Sequence, residues 1–111
     1  MSEQTRTLRE AVVDRAVRGP GVASAASRQA AFANQDVDPR ARALVDKITR
    51  HAWKVTSADV SAVTAAGVRE DEVFELAICT ALGQATRQLN AALSALDEAT
   101  HSTERRERRE A

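Results

Sequence analysis

Three observations on this 111-residue chain predict an all-α fold, a compact bundle of about five helices. The composition is rich in Ala, Arg, Glu and Leu and holds only 4 Gly and 2 Pro, which favours helix over strand by intrinsic propensity. Apolar residues recur at the three-four spacing of helical faces. Capping and turn residues divide that pattern into segments of ordinary helix length. The length suits one domain, expected over residues 1–99, with a charged tail at 100–111. Only 3% of residues are aromatic, namely Phe32, Trp53 and Phe74, so the core has to be built from Ala, Val, Leu and Ile.

Thr7-Leu8-Arg9-Glu10 has the spacing of a capping box and predicts a first helix over 8–18, with Leu8, Val12, Val13, Ala16 and Val17 inward. Gly19-Pro20-Gly21 ends it. A second helix is expected over 25–33, where Phe32 is the one bulky anchor. Asp38-Pro39 reads as the start of a third, because Asp accepts at an N-cap and Pro suits the first helical position. It is expected to run to about Val55 with Leu44, Val45, Ile48 and Val55 inward. Thr56-Ser57 opens a fourth over 58–66, closed by Gly67, where a left-handed conformation carries no side-chain penalty.

The acidic run Glu70-Asp71-Glu72 complements a helix N-terminus and opens a fifth helix over 70–98. Its apolar face, from Val73 and Leu76 to Leu93 and Leu96, is widened by Phe74, Ile78 and Leu82, and is expected to form the spine of the core. From Thr100 onward apolar residues nearly vanish, which predicts solvated helix or a flexible segment.

The formal charge is zero, so no global field attracts nucleic acid or an anionic membrane. Residues 59–75 have the outline of a helix-turn-helix, but its second helix opens with acids where a reader of phosphates and base edges needs Arg, Lys, Asn or Gln. No nucleic-acid partner is expected. Residues 1–18 lack the apolar segment of a secretory leader, and the longest largely apolar stretch, 76–82, is far short of a membrane span. No membrane partner is expected either, and with a single cysteine the expected location is cytoplasmic. No phosphate loop, nucleophile elbow or pair of metal-ligand motifs is present, so neither cofactor nor metal is expected.

His51-Ala52-Trp53-Lys54-Val55-Thr56, then Ala65-Ala66-Gly67-Val68, then Glu70 to Leu76 opening an Ala-rich helix with Ala81-Leu82-Gly83, carry a likeness to a known family. Over residues 41–95 the chain resembles the alkylhydroperoxidase D-like, or carboxymuconolactone decarboxylase-like, family. The resemblance implies a helical fold that assembles into homo-oligomers. Redox members of that family carry C-x-x-C-x-x-x-H before the short helix. Those positions fall near Ala52, Val55 and Asp59 here, and none matches. Dithiol chemistry needs a low-pKa thiolate and a resolving partner, so a non-redox member is expected, binding or transforming a small organic acid. The alternative is a structural or protein-interaction module without catalysis.

The candidate catalytic set is His51, Lys54 and Glu75, which converge if the start of helix five packs beside the end of helix three. Each also has a bland explanation. His51 suits a general base or a core-edge histidine bonded to a carbonyl. Lys54 suits a helix C-terminus, and Glu75 either faces solvent or is partly buried with a cation. Cys79, in an Ala-rich helix, reads as a small core residue rather than a nucleophile. Trp53 lies opposite the apolar stripe of helix three and suits a subunit contact or a ligand rim.

Overall fold

The computed structural model describes residues 1–110. It comprises α1 (Glu3–Arg18), α2 (Ala25–Ala33), α3 (Arg42–His51), a 3₁₀ turn (Ala52–Lys54), α4 (Ser57–Ala65) and α5 (Glu70–Glu110), with no strand among the described residues. None of these helices is long and apolar enough to cross a membrane.

α2 spans the expected residues. The Ser24 hydroxyl accepts from the Ser27 N–H (3.1 Å) at its start, and Asn34 adopts a left-handed conformation (φ 54) at its end. α4 likewise opens on a capping box, with Thr56 and Asp59 each accepting the other's backbone N–H, and Gly67 follows it at φ 106. α1 starts earlier than the Thr7 pattern indicates. Ser2 caps the Thr5 N–H at 3.1 Å and Glu3 sits in the first turn, so the helix is already established when it reaches Thr7.

α3 starts later than Asp38-Pro39 and ends earlier than Val55. The Asp38 carboxylate accepts from the backbone and guanidinium of Arg40, and the Ala41 N–H bonds back to the Asp38 carbonyl, which closes a turn before the helix begins. At its other end His51 leaves helical geometry (φ −148, ψ 57) and the chain tightens into the 3₁₀ turn.

The core is built from small and branched side chains: Val17 of α1, Ala31 of α2, Leu44 and Val45 of α3, Val63 of α4, and Val73, Leu76 and Cys79 of α5, with Ala23, Ala41 and Val68 from the connections. Phe32 is half-buried, whereas Trp53 and Phe74 lie outside at 76% and 67% exposure. α2 comes close to α5 at Gly83, where an added Cβ would run into the Phe32 carbonyl, so α2 rests on bare α5 backbone. The same carbonyl accepts from Arg87 Nη1 at 2.7 Å.

α5 is longer than expected, at 41 residues and about 60 Å. α1 to α4 gather around its first half. Residues 100–110 continue it as helix, and from Ser94 to Glu110 every residue is exposed. The projection draws the molecule out to 66 × 28 × 21 Å.

Candidate functional site

Gly19-Pro20 stops α1, and Pro20 has no N–H to give to the Ala16 carbonyl four residues back. A partly buried carbonyl left so needs another donor. It has two: Arg28 Nη1 at 3.1 Å and the Cys79 thiol at 3.5 Å. Arg28, only 5% exposed although it sits in the small Ala-rich helix α2, also donates Nε to the Ala23 carbonyl at 3.2 Å. From the opposite side, Glu75 of α5 accepts the Val22 N–H on Oε1 (2.7 Å) and the Ala23 N–H on Oε2 (2.6 Å). Gly21 permits this approach, because a Cβ there would lie 2.8 Å from Glu75 Oε1.

Arg28, Glu75 and Cys79 therefore form one polar junction that fastens the α1–α2 connection to α5. Backbone hydrogen bonds, first from Ala23 and then from Val22, hold the Glu75 carboxyl below its ordinary value against the opposing effect of burial, and Arg28 adds to the lowering. Burial pushes the Cys79 thiol up, outweighing the nearby Arg28 charge. A protonated, buried thiol that already donates to a carbonyl is a poor nucleophile.

The Glu75 arrangement fixes a pH dependence. Its folded pKa lies below the ordinary 4.5, so its contribution is fully present above that value and is lost as pH falls through the depressed one. Glu75→Gln should destabilise the protein at pH 7 by about 2 kcal/mol, since an amide presents only one acceptor to two N–H donors. The gap between the two proteins in urea titrations should narrow as pH falls through the depressed Glu75 value, and an undiminished gap in strong acid would refute the carboxylate's role.

The structure does not assemble His51, Lys54 and Glu75 in one pocket. Both Glu75 oxygens are committed to the α1–α2 connection. His51 is exposed and stands edge-on to Trp53, ring centroids 5.3 Å apart at 82°. It lines an open groove of about 730 Å³ between the 3₁₀ turn and α5, with Arg50, Trp53, Ala81, Gln84 and Gln88 among its walls. That groove meets α5 at Ala81, about 9 Å along the axis from Glu75. Lys54 is exposed and is not among the residues lining it. Arg28 carries no signal of this role in the sequence, because an arginine in a short Ala-rich helix has the pattern of a solvent-facing one. Among the described residues no group of three or more His, Cys, Asp or Glu is placed to hold a metal ion.

The other prominent surface is on α5 itself. At 3.6 residues per turn, Phe74, Ile78, Ala81, Leu82, Ala85, Leu89, Ala92, Leu96, Ala99 and Thr103 fall within about 60° of one line. This strip faces away from the core side of α5, where Val73, Leu76, Cys79, Thr80 and Gly83 are buried. The apolar face expected as a single buried spine is thus split, because the other helices cover only one side of α5. The uncovered side has grooves along both edges. The groove toward the 3₁₀ turn and a smaller one of about 230 Å³ toward α1, walled by Arg9, Val12, Val13 and Leu89, both reach Ala85.

The fold and this surface define an all-α bundle that carries one long, partly uncovered helix. Comparison with protein-family models, with curated proteins and with solved structures finds no match.

Proposed function

We propose that this chain is a homo-oligomeric protein-interaction module without catalysis, which assembles through the uncovered side of α5. The observation that carries this reading is the change in α5 beyond Leu93. The side continuing the core face turns polar, with Ser94, Asp97, Glu98 and His101, while the solvent side keeps Leu96 and Ala99 and stays free of charge as far as Thr103. A surface that met only water has no reason for that inversion, whereas a surface covered by a partner does. The likeness of residues 41–95 to the alkylhydroperoxidase D-like family supports a lineage whose redox site is absent here, and the cytosol is the location proposed with it.

A rival reading, a binder of small organic acids, draws on Arg50, His51, Gln84 and Gln88 around the open groove. Light scattering separates the two. At micromolar concentration the mass should be at least twice the 12.0 kDa of one chain. Leu96→Glu, on a residue 66% exposed and remote from the core, should return it to one chain with unchanged helicity. A monomeric mass for the unaltered protein overturns the assembly reading and leaves the groove as the better candidate.

A further inference from the structure

Resting on that assembly reading, we infer that the occupant of the α5 strip is a second copy of the same helix, running antiparallel about a two-fold axis between Asn90 and Ala91. The strip alternates large and small: Leu82, Leu89 and Leu96 at one heptad position, and Ala85, Ala92 and Ala99 three residues after each. In an antiparallel pair those two positions face each other across the seam, so every leucine meets an alanine. With the axis between Asn90 and Ala91, Leu89 stands level with Ala92 of the partner subunit, and Ala85 with Leu96 of the partner subunit. Parallel pairing would instead stack leucine on leucine and leave gaps between alanines.

Ala85 is the residue shared by the two grooves, and Leu96 is the bulky exposed side chain on the projecting half of α5. Each projecting half would thus lie between α1 and the 3₁₀ turn of the other chain, which explains why α5 outruns its own bundle. Charge disfavours the parallel sense, which would stack each acidic opening turn Glu70-Asp71-Glu72 on its own copy, whereas antiparallel pairing puts the two turns at opposite ends. The strip from Phe74 to Thr103 is about 44 Å long and about 10 Å wide. That is about 440 Å², roughly half of the 800 Å² per partner of a standard interface, and the groove walls at Trp53 and Val12 add to it.

Cysteine pairing at the predicted level tests this. Within one α5, residues 85 and 96 are about 16 Å apart along the axis, so a bridge between them must join two chains. Ala85→Cys/Leu96→Cys should become a covalent dimer under mild oxidation, and an equimolar mixture of the two single variants should give a heterodimeric disulfide. Each single variant alone should stay uncrosslinked. Efficient crosslinking of either single variant alone would overturn the antiparallel register. An oligomeric mass without crosslinking of the double variant would also overturn it while sparing the assembly reading. A monomeric mass of the unaltered chain would remove both.

Discussion

Replacing Arg28 by alanine should destabilise the protein by about 3 kcal/mol, more than any other single change to a charged side chain of the bundle. Arg28 is buried and donates to two carbonyls, of Ala16 and Ala23, that belong to different parts of the chain. The Ala16 carbonyl has no helical partner because Pro20 follows, so removing the guanidinium leaves it the weak thiol donor alone. The Ala23 carbonyl loses its donor too. Each buried acceptor left unpaired costs about 1–3 kcal/mol, and the packing of the aliphatic stem is lost as well. Glu75 also loses its neighbouring positive charge. Urea denaturation should place Arg28→Lys between Arg28→Ala and the parent, since lysine restores a charge and a donor but not the fork that reaches both carbonyls. A loss under about 1 kcal/mol for Arg28→Ala would mean that the junction is ornamental.

At Gly83 two principles predict opposite signs, which makes the outcome decisive. Helix propensity alone favours Gly83→Ala, by about 1 kcal/mol for a glycine inside a helix. The structure opposes it, because the new Cβ would meet the Phe32 carbonyl oxygen and carbon at 1.9 and 2.7 Å, and these are backbone atoms. α2 would have to lift from α5, disturbing the Arg87 bond to the same carbonyl and the seat of Arg28. A net loss of about 2 kcal/mol or more is expected. By thermal melting this is a fall of about 8–16 °C for a chain of this size. A variant melting at or above the parent would show that α2 does not rest on Gly83.

Local signals are legible at α4, where Thr56-Ser57 and Gly67 stand at its ends as expected. The caps of α2 at Ser24 and Asn34 come from the structure, since the expectation for that helix rests on its Ala and Gln content with Phe32 as anchor. Local signals are ambiguous where two candidates compete. Ser2 and Thr7 both suit an N-cap, and nothing between them interrupts a helix. Asp38-Pro39 serves a turn as well as a helix start, and the difference lies in the Arg40 side chain that folds back on Asp38.

α5 shows a different limit. Its apolar residues cover more than half its circumference, so periodicity identifies the helix but not which side its neighbours occupy. Gly83 enters the sequence reading only within Ala81-Leu82-Gly83, and the structure shows it as a place where α2 packs on bare α5 backbone. For the candidate site, the partners of Glu75 lie 52 and 53 residues away in a loop. Spacing along the chain carries no trace of such a contact. His51, Lys54 and Glu75 converge only if the ends of their helices meet, and the fold turns Glu75 toward the α1–α2 connection instead.

The outward position of Trp53 has a spectroscopic consequence. The chain has no tyrosine, so this one indole is its main intrinsic fluorophore, and at 76% exposure it already emits from water in the isolated folded chain. Unfolding that chain therefore changes its colour little, and denaturation has to be followed by circular dichroism. Covering the α5 groove, by contrast, would shift the emission to the blue. The same residue that is silent about folding is a reporter of what docks beside it.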